Sequence, residues 1–215
     1  MAFSPVDPRA DEYMRSLAAK YDDPVLLEME ERARDRGFPI VGRLAGAFIE
    51  LAASAIGART VFEMGSGFGY SAYWFSRAVG PAGRIICTDG DEENRVLAEH
   101  YLTRAGRWDR VDYHVGWAQE VLKATEGTFD VVYNDIDKGD YPEAWQIARD
   151  RVRPGGLYVC DNVLWYGRVA EADLEDKHPE LTAAIRRHNE LVYADPAFDV
   201  TIVPIRDGLL VARRR

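Results

Sequence analysis

From residue 59 onward, short apolar runs alternate with stretches whose apolar positions recur at helical spacing. Thr60–Met64, Arg84–Thr88, Val111–Val115, Phe129–Tyr133 and Leu157–Cys160 are rich in β-branched and aromatic residues and read as strands. Ser71–Val79, Glu92–Ala105, Ala118–Lys123 and Tyr141–Val152 read as the helices between and around them, with Asp89 or Asp91 available to cap the second. Runs such as Val131-Val132-Tyr133 carry no polar alternation, as expected of strands covered on both faces. This rhythm predicts a doubly wound parallel sheet with right-handed crossovers. Ahead of it, Asp11–Tyr21 and Pro24–Arg36 are candidate helices, with Pro24 suited to a first turn. Val41, Leu44, Ala45, Phe48, Leu51 and Ala52 then mark an amphipathic helix ending near Gly57. After Cys160 the pattern changes. Pro179–Tyr193 reads as a helix, and the strands Phe198–Ile205 and Leu209–Ala212 flank Arg206-Asp207-Gly208. Asp-Gly between two such runs is a hairpin signal. The expected fold is therefore α/β, a doubly wound, mostly parallel seven-stranded sheet with a C-terminal antiparallel hairpin. N-terminal helices over 1–57 and a core over 58–215 form one domain, without repeats or linkers.

Bulk properties narrow the function. The chain has 215 residues and a net charge of −9, enough for a full core. The acidic balance argues against nucleic acid as the main partner, since affinity there comes from Lys and Arg neutralising phosphates. Cys87 and Cys160 fall inside expected central strands and form no C-x-x-C pair, so they read as small buried hydrophobes. No signal-peptide core and no apolar run of bilayer length occur. The expectation is a soluble cytoplasmic protein without a membrane partner.

Candidate chemistry sits where strands end. Asn134-Asp135-Ile136-Asp137-Lys138 and Asp161-Asn162 each follow a strand. If those strands are parallel, Asp135, Asp161 and Asn162 converge on the edge where open α/β sheets bind ligands. Three oxygen ligands beside a lysine suggest a hard divalent cation next to a base. Upstream, Glu63-Met64-Gly65-Ser66-Gly67-Phe68-Gly69-Tyr70-Ser71 joins the first strand to its helix. Its G-x-G-x-G spacing differs from the G-x-G-x-x-G of dinucleotide folds, which disfavours a dinucleotide oxidoreductase. Glu63 would repel a pyrophosphate but could accept a hydrogen bond from an amino group. Asp89, at the end of the next strand, is placed for ribose hydroxyls. A nucleoside carrying an amino acid, as in S-adenosylmethionine, fits this combination.

The glycine loop resembles the first motif of class I methyltransferases. Asp135-Ile136-Asp137-Lys138-Gly139-Asp140-Tyr141 and Asp161-Asn162-Val163-Leu164-Trp165-Tyr166-Gly167 resemble the metal-dependent O-methyltransferases of the caffeoyl-CoA and catechol type. The resemblance runs from about Gly37 to the C-terminus. It implies S-adenosylmethionine as donor and Mg²⁺, Mn²⁺ or Ca²⁺ on Asp135, Asp161 and Asn162, with Lys138 as general base. Glu63, Gly65, Gly67, Gly69, Ser71, Asp89, Gln119 and Asp135 would form the donor site, with Gln119 at the adenine. Trp165 and Tyr166 would wall a small aromatic acceptor carrying adjacent hydroxyls. Homologues of this type are commonly dimers, so a homodimer is expected. Ile40-Val41-Gly42 and Ala118 depart from the family pattern near the donor, and the 168–180 segment matches nothing interpretable. Two alternatives are methylation of a modified tRNA nucleotide and donor binding without transfer. The four histidines show no ligand spacing and read as solvated or helix-surface groups. The tryptophans read mostly as core, Trp165 excepted.

Overall fold

The computed structural model describes residues 5–170 and 176–215. Seven strands form one sheet: β1 (Thr60–Met64), β2 (Arg84–Asp89), β3 (Val111–Val115), β4 (Phe129–Asn134), β5 (Val152–Cys160), β6 (Phe198–Val203) and β7 (Leu209–Arg214). Their order across the sheet is β3-β2-β1-β4-β5-β7-β6. The first five pair in parallel, while β7 runs antiparallel to β5 and β6. Strand order reverses between β1 and β4, which opens a crevice at their carboxyl ends. The doubly wound sheet and its closing hairpin are as the apolar pattern predicts.

Side chains alternate across this sheet. Val61, Ile85, Val131 and Val159 enter one core with α2 (Pro24–Arg36), α3 (Gly42–Ala55), α4 (Tyr70–Ala78) and α5 (Glu92–Arg104). Phe62, Ile86, Val132 and Tyr158 enter a second core with α6 (Ala118–Ala124), α7 (Tyr141–Ala148) and α8 (Pro179–Tyr193). Covering both faces accounts for the unbroken apolar strand sequences. Trp74 fills the first layer and Trp145 the second, both fully buried; truncating either to alanine removes ~3–5 kcal/mol of packing. Cys87 and Cys160 are buried free thiols, as expected. Among the described residues no helix is long and apolar enough to cross a membrane.

Some boundaries differ from the sequence pattern. The first helix, α1 (Pro8–Leu17), starts earlier because the Asp7 carboxylate accepts the Arg9 N–H at 2.9 Å and Pro8 sets the first turn. A 3₁₀ turn, Ala18–Tyr21, follows it. The helix α7 stops at Ala148 and not Val152, because Val152 pairs with Phe129 and opens β5. Two side-chain expectations also fail. His188 is fully buried in α8, and Trp117 is 69% exposed. Part of the uninterpreted 168–180 segment lies outside the described residues.

The N-terminal helices are fastened to the sheet by a polar junction. Arg43 grips Glu30 with two 2.8 Å bonds, and the Tyr70 hydroxyl donates to the same carboxylate at 2.7 Å. Tyr70 is the first residue of α4, so this junction ties α2 and α3 to the end of the glycine loop.

Candidate active site

Register brings the site together. Met64 is level with Thr88 on β2 and Asn134 on β4, and Asn134 is level with Cys160 on β5. The next residue on each strand is Gly65, Asp89, Asp135 or Asp161, so these four stand side by side at the carboxyl edge. Because β7 is antiparallel, its N-terminal approach reaches the same edge and carries Arg206 and Asp207 with it. A cavity of about 1020 Å³ opens there. It is lined by the glycine loop, Asp89, Gln119, Asp135, Lys138, Asp161, Asn162, Trp165, Tyr166 and Arg206. Phe38, Pro39, Ile40 and Val41 close one side.

The loop is shaped by close approach. Gly65 has φ 81°, and a Cβ there would stand 2.4 Å from the Asp135 carbonyl oxygen. Only glycine allows β1 and β4 to end so near each other. The Gly65 and Ser66 N–H groups donate to the Thr88 carbonyl at 3.1 and 2.8 Å. Asp89 braces the loop from the side, accepting the Gly67 N–H at 3.0 Å while its other oxygen accepts from Asn94 at 3.0 Å. The Tyr113 hydroxyl donates to the Gly67 carbonyl at 2.6 Å. Ser71 and Gln119 are buried and face the cavity.

Two residues of the expected donor site do not line the cavity. Gly69 instead lets α4 approach α5, where a Cβ would lie 3.1 Å from that of Ala98. Glu63 is fully buried beneath the loop, accepts the Cys87 thiol at 3.4 Å, and keeps one oxygen unpartnered among the described residues. Burial pushes its carboxyl up to about 7, against the pull of Ser71, Ser66 and Cys87.

Opposite the loop lie two carboxylates and two cations. Lys138 Nζ donates to Asp135 at 2.8 Å and to the Ile136 carbonyl at 3.1 Å. Arg206 Nη1 lies 3.3 Å from Asp161 Oδ2. Burial raises both aspartates above the usual carboxylate range; Lys138 works against it at Asp135, and Arg206 at Asp161. Burial also works to lower the Lys138 ammonium pKa, yet Asp135 and Asp161 raise it on balance, so here Lys138 holds its proton. Asp137 is exposed and stands apart from this pair. Among the described residues, the non-glycine positions with positive φ are Asn162 (58°), Trp165 (46°), Tyr166 (54°) and Arg206 (52°), all on this cavity. Such backbone strain concentrates at functional sites.

A directed chain of hydrogen bonds holds the Asp161–Val163 turn from behind. Asn134 Nδ2 donates to the Tyr158 hydroxyl at 3.1 Å, and that hydroxyl faces His188 Nε2 at 2.9 Å. His188 Nδ1 faces Asn189 Oδ1 at 3.1 Å, and Asn189 Nδ2 donates to the Val163 carbonyl at 2.9 Å. The chain closes in one direction only if His188 is neutral with its proton on Nδ1. Tyr141 adds a bond to the Asp161 carbonyl at 3.0 Å.

The donor set suits a hard divalent ion. Asp161 Oδ1 is buried without a hydrogen-bond partner among the described residues, and the Asn162 side chain makes no hydrogen bond among them. With Asp135 they offer oxygen ligands only, the two carboxylates being paired with Lys138 and Arg206. No group of three or more His, Cys, Asp or Glu side chains suited to a metal occurs among the described residues, so any such ion depends on the Asn162 amide.

Residues 17–215 match the O-methyltransferase family. The chain belongs to that family. The catechol O-methyltransferase of Niastella koreensis is 33% identical, over 94% of this chain and 95% of that protein. Tricin synthase 1 of Oryza sativa subsp. japonica is 31% identical, over 96% and 83%. Among solved structures, the O-methyltransferase TomG of Streptomyces achromogenes, in complex with SAM, superposes with a TM-score of 0.84 at 29% identity, covering 96% of each chain. The Bacillus cereus O-methyltransferase in complex with SAH gives 0.83 at 27% identity, covering 96% and 97%.

Several residues that line or brace the cavity of this O-methyltransferase carry no local signal in the sequence. Phe38 lies edge-to-face on Phe68 at 5.0 Å and touches the loop beside Gly67, yet Gly37-Phe38-Pro39 reads locally only as a helix break. Tyr113 sits on an alternating strand with nothing to single it out. Arg206 is hidden inside a turn motif whose obvious meaning is a hairpin.

Proposed function

We propose that this enzyme transfers the methyl group of S-adenosylmethionine to one hydroxyl of a vicinal dihydroxy aromatic, assisted by a divalent cation on Asp135, Asp161 and Asn162. One observation carries the reading: an oxygen-only donor set, with an Asp161 oxygen unpartnered among the described residues, shares one cavity with the glycine loop, and Lys138 sits on Asp135. Two relatives, a catechol O-methyltransferase and caffeoyl-CoA O-methyltransferase 1, support a phenolic acceptor.

On this reading the start of α4 receives the donor's carboxylate, Asp89 its ribose, and Gln119 its adenine. Glu63 acts from beneath, ordering the loop. Gly67 and Ser71 complete the donor wall. Trp165 and Tyr166 enclose the acceptor ring and exclude water. A free phenol titrates near ~10; the divalent cation, when bound, lowers that value and fixes the two oxygens. The hydroxyl proton passes to Lys138 Nζ, the oxygen–methyl bond forms as the sulfur–methyl bond breaks, and S-adenosylhomocysteine leaves. Lys138 can accept that proton only after its own has left to solvent, which a cation held by Asp135 would favour by drawing that carboxylate's charge away from Nζ. Holding oxygen, carbon and sulfur in line supplies the rest of the acceleration.

The test is transfer from labelled S-adenosylmethionine to catechols, caffeoyl esters, flavonoids and bulk tRNA, with Mg²⁺ or with a chelator. Labelling of a vicinal diol that requires the metal and disappears in Asp161→Ala is expected. Chelator-resistant transfer, or labelling of tRNA alone, would overturn the reading.

A further inference from the structure

The cavity already contains a cation for each of its two metal-facing carboxylates. Lys138 sits on Asp135, and Arg206 sits on Asp161. The first pairing belongs to the motif that identifies the site, but the second does not, and Arg206 arrives from a different part of the fold.

Its backbone is firmly held. Arg206 has φ 52°, and the hairpin is locked by Gly208 N–H to the Ile205 carbonyl at 2.9 Å and Leu164 N–H to the Asp207 carbonyl at 2.9 Å. The side chain passes close to Gly42, whose Cβ would stand 3.7 Å from Arg206 Cδ. The guanidinium is therefore delivered to the cavity wall by a fixed backbone, and it leaves Asp161 only by rotation of its own side chain. Tyr133, Asp135 and Asp207 are its other charged or titratable neighbours, and each of them favours the charged guanidinium.

We propose that Arg206 is an internal competitor for the divalent cation, occupying Asp161 when the ion is absent and weakening the ion's hold when it binds. This rests on the metal reading above. The physical cause is direct: a dication placed on Asp161 shares that carboxylate with a permanent positive charge, and the repulsion is poorly screened in a buried pocket. The enzyme would then bind its ion weakly by itself, and an acceptor that brings two oxygen ligands would help to retain it.

Mn²⁺ binding, read by electron paramagnetic resonance of the free ion without donor or acceptor, separates the possibilities. Arg206→Met and Arg206→Gln are each expected to bind Mn²⁺ about tenfold more tightly than the unchanged enzyme, and Arg206→Lys to stay within about threefold of it. Asp161→Asn should bind little. Thermal unfolding checks that each variant is folded. Equal or weaker binding in the neutral variants would mean that Arg206 only orients Asp161, and equal tightening in Arg206→Lys would mean that shape and not charge matters; either overturns the proposal while leaving the metal reading intact. No Asp161-dependent binding in any protein overturns both. A Mn²⁺-soaked crystal of the unchanged enzyme gives an independent reading. The guanidinium should lie beyond hydrogen-bond reach of Asp161, and its retention there beside a bound ion overturns the competition.

Discussion

Replacing His188 with glutamine should make stability less dependent on pH, and the size of the change follows from the buried hydrogen-bond chain. Burial drives the His188 imidazole down to about 4, while its contact with Asn189 acts weakly in the other direction. Protonation would also turn Nε2 into a donor aimed at the Tyr158 hydroxyl, which already receives a bond from Asn134. The unfolded chain binds the proton near pH ~6.5, so acidification favours unfolding. The stabilisation is complete above that value and is lost as pH falls toward the folded-state value. Linkage between about pH 7.5 and about pH 5 gives a loss of ~2 kcal/mol in the unchanged protein from this group alone. His188→Gln has no such proton to take up. At about pH 7.5 the variant should be less stable by ~1–2 kcal/mol, for the hydrogen bonds disturbed. At about pH 5 the two proteins should be nearly equal, or their order reversed. Urea unfolding at both pH values measures the gap; Glu63 and Asp135 titrate in both proteins and cancel in the difference. A gap constant to within ~0.5 kcal/mol would refute the neutral, buried assignment and the directed chain built on it.

Three further outcomes are expected. Gly65→Ala should lose ~2 kcal/mol or more, because its Cβ would meet the Asp135 carbonyl at 2.4 Å with φ at 81°; a melting temperature equal to that of the unchanged protein would contradict this. Tyr70→Phe removes the 2.7 Å bond to Glu30 and should cost ~1 kcal/mol of stability, weakening donor binding by calorimetry while leaving kcat nearly unchanged. Asp161→Ala should lower kcat/KM by at least ~100-fold, more than the loss of an outer-shell metal partner, and steady-state kinetics with saturating Mg²⁺ would expose a smaller effect.

The parallel sheet was legible because strands covered on both faces need uninterrupted apolar sequence, and Val131-Val132-Tyr133 has it. The glycine loop and the two acidic strand ends were legible because each is contiguous in the chain. What could not be read were contacts between residues distant in sequence. His188 carries the ordinary surface signature of a polar residue in an amphipathic helix, and only the approach of α8 to Tyr158 buries it. Trp117 looks like core by composition, yet its place at the start of α6 leaves it at the cavity rim. Helix ends drifted by a few residues where the deciding partner was remote, as when Phe129 drew Val152 into β5.

By itself, then, the sequence determined the alternation of strands and helices, the glycine turn after β1, and the residue types available for chemistry at two strand ends, since each depends on backbone preferences and on periodicity within a short window. Tertiary structure decided which of those residues meet. Register levels Gly65, Asp89, Asp135 and Asp161, and reversal of β7 delivers Arg206 to Asp161 across 45 residues of chain. The α2–α4 junction sets Phe38 against the loop. Charge pairing, burial and the resulting shifts in proton affinity depend on distances through space, which no local pattern in the chain encodes.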